Sequence, residues 1–200
     1  MVSSSTKMLP HPKPPANFNT IKLPIINQKL VLYRFSKSGR DPLSFCQENL
    51  FRFNAPAMEF GTSYFSKSIR GAFAERFLWM TGTKWISEEE IKKNHLAVFA
   101  STVPLKLVNL TGKGLPLIGA DNRLCSGDDY SKSQQWSLSI WQHNEKSDGI
   151  LYEARHDPSQ RSIALYERAK SQLQQQSFKQ IDFKELYKIL KIYRIKWIPS

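Results

Sequence analysis

The sequence is poor in the residues that build several common kinds of functional site. Its two cysteines are too few for a disulfide framework, and its four scattered histidines pair with neither of them at ligand spacing. It has no glycine-rich phosphate loop of the dinucleotide-binding or nucleotide-triphosphatase pattern. No run approaches the roughly 18 apolar residues that span a membrane, and no apolar secretory core follows the first residues. We therefore expect no metal, no membrane association and a cytoplasmic location.

Acidic residues are absent from the first 40 positions, which carry seven basic ones. Residues 168–200 carry eight basic and two acidic residues, whereas residues 41–167 hold 14 basic and 15 acidic residues. The net charge of +12 over 200 residues therefore belongs to the two ends. A basic chain can bind nucleic acid, but no segment concentrates the charge on one helix face. We keep a nucleic-acid-binding module as the third hypothesis and do not expect nucleic acid as a direct partner.

What the chain does contain predicts one folded domain and a tail. Residues 1–28 hold five of the eleven prolines, which predicts an irregular, basic, Pro-rich N-terminal arm. Over residues 29–198, strand-like apolar runs alternate with segments of helical spacing. The expected fold is a single α+β domain. Within it, Leu50–Asn54 is predicted as a short strand, and Ser66 or Ser68 as the cap of a helix that runs to about Met80.

Glu75 is the most informative acidic residue. In the predicted helix, Gly71 and Ala72 lie one turn earlier on the same side, and the glutamate side chain leans over them. These two small residues leave room for a ligand beside the carboxylate. The alternative is a solvated glutamate next to Arg76, which is the commoner environment of a helical glutamate.

Two arginines and a tyrosine are candidate ligand-binding residues. Arg34 ends an apolar strand and Arg52 lies between two phenylalanines, and their planar guanidiniums match the oxygens of a diphosphate. Structural ion pairs are the alternative for both. Tyr64 has a ring that suits stacking on a flat ligand, although a plain strand aromatic is more common.

The order of these segments resembles the RES-domain family, named for its arginine, glutamate and serine. The resemblance covers about residues 29–198, and each motif is weak alone. The matching motifs are Tyr33–Arg34, Arg52–Phe53–Asn54, Gly61–Thr62–Ser63–Tyr64–Phe65, Gly71–Ala72–Phe73–Ala74–Glu75, Gly119–Ala120–Asp121, Asp129–Tyr130, Ser133–Gln134–Gln135–Trp136, Asp148–Gly149–Ile150–Leu151–Tyr152, Arg155–His156–Asp157–Pro158 and Ala164–Leu165–Tyr166–Glu167–Arg168–Ala169.

The resemblance implies a fold, an activity and roles for the candidate residues. The fold would be similar to the ADP-ribosyltransferase toxins, with a split mixed β core and flanking helices. The activity would be that of a toxin that cleaves the nicotinamide–ribose bond of NAD⁺, as a glycohydrolase or phosphorylase, with NAD⁺ as substrate and no metal. By this resemblance Arg34 and Arg52 bind the phosphates or ribose, Tyr64 packs on nicotinamide, and Glu75 is catalytic.

One departure from the family pattern keeps alternatives open. The family usually carries its serine in a Tyr–x–Ser–Arg pattern, where this chain has Ala154. The lost hydroxyl raises a second hypothesis, a catalytically weakened relative that binds NAD⁺ or a partner, with Ser133 as a candidate compensating hydroxyl. A protein ADP-ribosyltransferase is a further alternative. For a toxin, the resemblance implies an Xre-family antitoxin as partner.

Overall fold

The computed structural model describes residues 11–80, 82 and 84–199. Ten strands and six α-helices alternate along this part of the chain. The strands are β1 Ile25–Gln28, β2 Val31–Lys37, β3 Thr62–Ser66, β4 Trp85–Ser87, β5 Asn94–Ser101, β6 Leu105–Asn109, β7 Gly149–Ala154, β8 Asp157–Tyr166, β9 Leu173–Lys179 and β10 Lys196–Ile198. The helices are α1 Ile69–Phe77, α2 Glu88–Lys92, α3 Gly114–Leu117, α4 Arg123–Ser126, α5 Tyr130–Gln142 and α6 Phe183–Tyr193, with 3₁₀ turns at Phe18–Thr20 and Glu167–Gln172.

Eight strands form one mixed sheet in the order β1-β6-β7-β8-β3-β2-β5-β9. The pairing of β6 with β7 is parallel, and all other pairings in this sheet are antiparallel. Strands β10 and β4 form a separate parallel pair. A single domain with a large mixed sheet and flanking helices confirms the predicted α+β class.

The large sheet is split in its middle, as expected. Strands β2 and β3 are in register only at Tyr33 and Ser66, whereas β2 pairs with β5 over seven residues and β3 with β8 over five. The two half-sheets therefore diverge beyond this one contact. The divergence opens space between residues that follow Tyr33 on β2 and those that precede Ser66 on β3.

Three apolar clusters hold the helices and half-sheets together. In the first, Trp136 and Ile140 of α5 pack on Ile150 and Tyr166. The second joins the opposite face of β6, β7, β8 and β3 to β2, β5 and β9. In the third, α1 and α6 cover β2 and β5. Alternate residues of one strand, such as Ile150 and Leu151, thus enter different clusters.

The structure packs part of the predicted N-terminal arm against the folded domain. Residues 1–10 lie outside the described residues, but β1 is the edge strand of the large sheet and pairs with β6. The Trp136 indole N–H donates to the Pro12 carbonyl at 2.9 Å, and Phe18 and Leu23 are buried in the first cluster. The boundary expected at residue 28 therefore falls inside the folded domain, because the few apolar residues between the prolines are buried there.

Candidate active site

A cavity of about 300 Å³ opens where β2 and β3 diverge. All four residues singled out by the sequence line it. Arg34 comes from β2, Tyr64 from β3, Glu75 from α1, and Arg52 from the loop before β3. The remaining walls are mostly aromatic, and its lining residues also include Tyr33, Phe35, Phe51, Phe65, Ala72, Arg76, Cys125, Tyr130, Tyr152, Arg155 and His156.

Helix α1 places Glu75 in this cavity. The helix begins as predicted, because the Ser68 hydroxyl accepts a hydrogen bond from the Gly71 amide at 2.9 Å. Ala72, Phe73 and Phe77 are buried on the same helix, so its orientation against the sheet is fixed by packing. The solvated glutamate considered above is therefore not what the structure shows.

The Glu75 carboxylate is held by two hydroxyls at one of its oxygens. Ser162 on β8 donates to Oε1 at 2.7 Å, and the Tyr152 hydroxyl on β7 donates to the same oxygen at 3.5 Å. Burial raises the pKa of Glu75, and the Ser162 bond, the Arg52 charge and the Tyr152 bond partly offset that rise. Within the described part of the chain, no hydrogen bond reaches Oε2. The second oxygen is thus left for a ligand.

Gly71 serves packing rather than ligand space, which corrects half of the sequence argument. A Cβ at this position would collide with the Ser66 Oγ and lie 3.2 Å from the Gln160 Cβ. The glycine therefore allows α1 to approach β3 and β8. Ala72, the other small residue, does line the cavity beside Glu75.

Arg34 is a largely buried cation whose described partners are neutral. Its guanidinium donates to the Ser63 hydroxyl at 2.5 Å and to the Ser44 carbonyl at 3.5 Å, and it lies over the Phe65 ring at 5.4 Å. Burial lowers its pKa to about 10, with a small opposing effect of Asp41, so it is charged at neutral pH. No carboxylate of the described residues lies within ion-pair distance. The structural ion pair considered as its alternative is absent from this part of the chain.

Arg52 lies in a loop, not in the strand predicted over Leu50–Asn54. Only 7% of it is exposed. It donates to the Gly127 carbonyl at 2.7 Å and lies over the Tyr130 ring at 4.7 Å. It too has no carboxylate partner within ion-pair distance among the described residues. One buried and one partly buried guanidinium, both hydrogen-bonded only to neutral groups among the described residues, thus share the cavity.

Side chains from β3 and α5 fix the loop that carries Arg52. The Gln134 amide donates to the Asn49 and Phe51 carbonyls at 2.7 and 3.2 Å. The Ser137 and Thr62 hydroxyls both donate to the Phe53 carbonyl. In a strand, these loop carbonyls would accept hydrogen bonds from a neighbouring strand. Here they accept from side chains that are distant in the sequence. The local sequence pattern therefore did not predict the loop.

Tyr64 contributes its ring to the cavity and its hydroxyl to the loop. The hydroxyl accepts from the Phe53 amide at 2.8 Å and donates to the Asn54 side chain at 2.9 Å. Burial raises its pKa well above the usual value, so the group stays protonated. The ring of Phe51 meets it edge-on at 5.8 Å. Tyr64 therefore both lines the cavity and anchors the loop, which a strand aromatic with only a packing role would not do.

The position of the missing family serine lies outside the cavity lining. Ala154 is 1% exposed at the end of β7, and it does not line the cavity. Ser133, the proposed compensating hydroxyl, donates instead to the Leu124 carbonyl at 2.8 Å. The serine hydroxyl that donates to the candidate carboxylate is that of Ser162, which sequence reasoning missed.

Sequence reasoning also gave no role to several residues that line the cavity, among them Tyr152, His156 and Cys125. Tyr152 and His156 lie in motifs that were quoted without a role, and Cys125 was not placed. Burial raises the pKa of the Cys125 thiol to about 12, which keeps it protonated and unreactive. Burial, Arg155 and Arg52 lower the pKa of His156, which favours the neutral imidazole at neutral pH.

The described residues were also compared with the requirements of a metal site and of a membrane-spanning helix. Over the described residues, no group of three or more His, Cys, Asp or Glu side chains is placed to hold a metal ion. None of the described helices combines the length and the apolar character needed to cross a membrane.

The split sheet and the arginine–glutamate cavity define a class of protein, and comparison with known families gives that class its name. The sequence model of the RES domain matches residues 31–184, which is more than half of the chain. The protein belongs to the RES domain family.

One curated protein and one solved structure are similar to this chain. Over 95 residues it is 28% identical to Probable toxin y4kH of Sinorhizobium fredii, which covers 48% of this chain and 74% of the relative. Its fold is similar to that of a chain in the crystal structure of the M. tuberculosis MbcT–MbcA toxin–antitoxin complex. That likeness has a TM-score of 0.62 at 21% identity and covers 84% of this chain and 92% of the other. At this identity the similarity shows the shared fold.

Proposed function

We propose that this protein is a toxin-type RES enzyme that consumes NAD⁺ by cleaving its nicotinamide–ribose bond. One observation carries the proposal. Arg52, which is buried, and Arg34, which is partly buried, bring two guanidiniums without ion-pair partners among the described residues into the cavity where Glu75 presents a free carboxylate oxygen. The ligand that suits this arrangement has an anionic part for the arginines and a part that becomes positive beside the glutamate.

The diphosphate of NAD⁺ supplies the anionic part. Burial of a guanidinium is costly when no anion lies within ion-pair distance, and phosphate oxygens match its planar donor fork. The described acceptors of Arg34 are a hydroxyl and a carbonyl, and that of Arg52 is a carbonyl, so each keeps further N–H groups for a ligand. A cavity of about 300 Å³ lies at the lower end of ligand-pocket volumes. It therefore suits one part of the dinucleotide, with the remainder at its mouth.

The reacting part is the ribose beside Glu75. When the C1′–N bond breaks, its electron pair leaves with nicotinamide and positive charge develops on C1′ and the ring oxygen. The Glu75 carboxylate stabilises that charge in a cavity lined by aromatic rings. An acceptor oxygen, from water or phosphate, then forms the new bond to C1′. When water is the acceptor, its proton is released to the solvent. The ring of Tyr64 packs on the leaving nicotinamide.

The test is nicotinamide release from NAD⁺, followed by chromatography with and without phosphate. The wild-type protein is expected to release nicotinamide, and Glu75→Gln to be slower by about 10²–10³-fold, equivalent to about 3–4 kcal/mol of barrier. Glu89→Gln is the matched control, because Glu89 is exposed on α2 and pairs with Lys93. Equal rates for the wild type and Glu75→Gln would reject the proposed role of the carboxylate.

Ala154 supports a second candidate, a weakened relative that binds NAD⁺ without turnover. Calorimetric titration with NAD⁺ separates the two functions: binding without nicotinamide release supports the second, and efficient release excludes it. Transfer of ADP-ribose to a protein is a third outcome, detected as label on an added protein when NAD⁺ is labelled in its adenosine half.

We also propose a protein partner that acts as an antitoxin. Two similarities support it, because one relative is named a probable toxin and the structural neighbour belongs to a toxin–antitoxin complex. Co-expression with the product of an adjacent gene, followed by size-exclusion chromatography, tests this part of the proposal. Separate elution of the two chains would contradict it.

A further inference from the structure

We infer that Ser162 on β8 is the positioning residue for Glu75. The effect of Ser162 on catalysis depends on the proposed function. The contact between Ser162 and Glu75 does not, because it is seen directly in the structure.

The contact itself is close and enclosed. Ser162 is fully buried, and its Oγ donates to Glu75 Oε1 at 2.7 Å. A hydrogen bond to an ionised acceptor is roughly twice as strong as one between neutral groups. Because the other carboxylate oxygen has no partner among the described residues, Ser162 determines which oxygen is held and which one faces the cavity.

The β7–β8 pairing explains why this serine lies where it does. Tyr152 and Ser162 are directly paired across the two antiparallel strands, so their side chains lie on one face of the sheet. Both hydroxyls reach the same Glu75 oxygen, but Tyr152 does so at 3.5 Å. The hydrogen bond from Ser162 is therefore the stronger of the two hydrogen bonds to the carboxylate.

Ala154 lies in a different environment from Ser162. Beyond Glu153 the register of the two strands shifts, and Ala154 pairs with Asp157. Ala154 is buried away from the cavity lining. A chain that lacks the family serine therefore still presents a buried hydroxyl to its candidate catalytic carboxylate.

The charged and titratable groups around Glu75 include Arg52 from the loop, Tyr64 from β3, Tyr152 from β7 and Arg76 from α1 itself. Arg34 of β2, and Arg155 and His156 between β7 and β8, line the same cavity. Arg76 is engaged with Asn94 and Glu90. None of these groups is altered when Ser162 is replaced, so the variant isolates one hydrogen bond.

The first readout needs no turnover. In Ser162→Ala, the carboxyl pKa of Glu75, followed by carbon-13 NMR, should rise above the wild-type value, because the ionised form loses a donor. Ser162→Thr should return it toward wild type, and Tyr152→Phe should raise it less than Ser162→Ala. Ser133→Ala is the matched control, since that equally buried hydroxyl bonds a backbone carbonyl. An unchanged Glu75 pKa in Ser162→Ala overturns the inference.

The second readout is nicotinamide release. Ser162→Ala should lower kcat by about 10- to 100-fold, as expected for a lost hydrogen bond to a charged group, with KM changed by less than about threefold. A change in KM alone would overturn the positioning role. If no form of the protein releases nicotinamide, the proposed function fails, while the Glu75 titration still decides whether Ser162 holds the carboxylate.

Discussion

The two walls of the cavity are built in different ways. Glu75 sits on a helix that packs against the sheet, and its carboxylate is held by hydroxyls from two paired strands. Arg52 faces it from an irregular loop that is held by side chains of β3 and α5. Regular structure positions the carboxylate, whereas a set of individual hydrogen bonds positions the arginine. Changes to the two walls should therefore have different consequences.

The largest effect expected from the loop wall is on substrate binding. Gln134→Ala removes the amide that donates to the Asn49 and Phe51 carbonyls and loosens the segment that carries Arg52. We expect KM for NAD⁺ to rise about tenfold with kcat changed by less than about threefold, since a lost hydrogen bond costs about 1–3 kcal/mol. Steady-state kinetics with a thermal-unfolding control test this. A fall in kcat at unchanged KM would show that the loop contributes to the chemical step.

A smaller effect concerns stability at the carboxylate wall. Because burial places the pKa of Glu75 above its unfolded-state value of 4.5, the folded form holds the proton more tightly. The Glu75 contribution to stability is then greatest at low pH and falls as pH rises through the folded-state pKa. Glu75→Gln removes this pH-dependent loss of stability, because glutamine does not ionise. Its free energy of unfolding should exceed that of the wild type at neutral pH, by about 1.4 kcal/mol for each unit of pKa elevation.

Denaturant titration at several pH values measures that difference. The excess stability of Glu75→Gln should shrink as pH falls toward 4.5. The same ionisation predicts that nicotinamide release declines with acid at a midpoint above 4.5, because the reaction needs the carboxylate. A stability difference that does not vary with pH would contradict the assignment of the burial cost to Glu75.

The smallest effect is expected from restoring the family serine. Ala154 is buried outside the cavity lining, and Ser162 already donates to Glu75. Ala154→Ser should therefore change the rate of nicotinamide release by less than about threefold, while an unpaired buried hydroxyl lowers stability by about 1–3 kcal/mol. A gain of tenfold or more would show that position 154 acts on the ligand and that the natural site is attenuated.

The difference between the walls also explains what the sequence could predict. The start of α1 follows from local capping signals, and the structure confirms Ser68 as the cap, although the helix ends at Phe77 and not near Met80. Arg34 and Tyr64 both lie on strands, as their apolar and aromatic neighbours in the sequence indicate. The local sequence pattern was therefore sufficient to place the candidate residues that lie on a helix or a strand.

Sequence reasoning failed where distant residues decide the conformation. The Arg52 loop depends on Gln134, whose amide reaches Phe51 across 83 positions of the chain, and no local signal separates this loop from a strand. Ser162 looked like any strand serine, because its contact with Glu75 crosses 87 positions. The N-terminal segment was judged by its prolines, yet Phe18 and Leu23 bury it in the core. A proline-rich composition alone does not distinguish an irregular arm from a segment that packs at the edge of the domain.

The most direct test of the account compares the wild type with Glu75→Gln after calorimetry has shown that both bind NAD⁺. Under single-turnover conditions the account predicts that the wild type converts bound NAD⁺ to free nicotinamide. It predicts that Glu75→Gln holds NAD⁺ with affinity within about threefold and releases nicotinamide about 10²–10³-fold more slowly. Equal rates in the two proteins, or no binding by either, would contradict it.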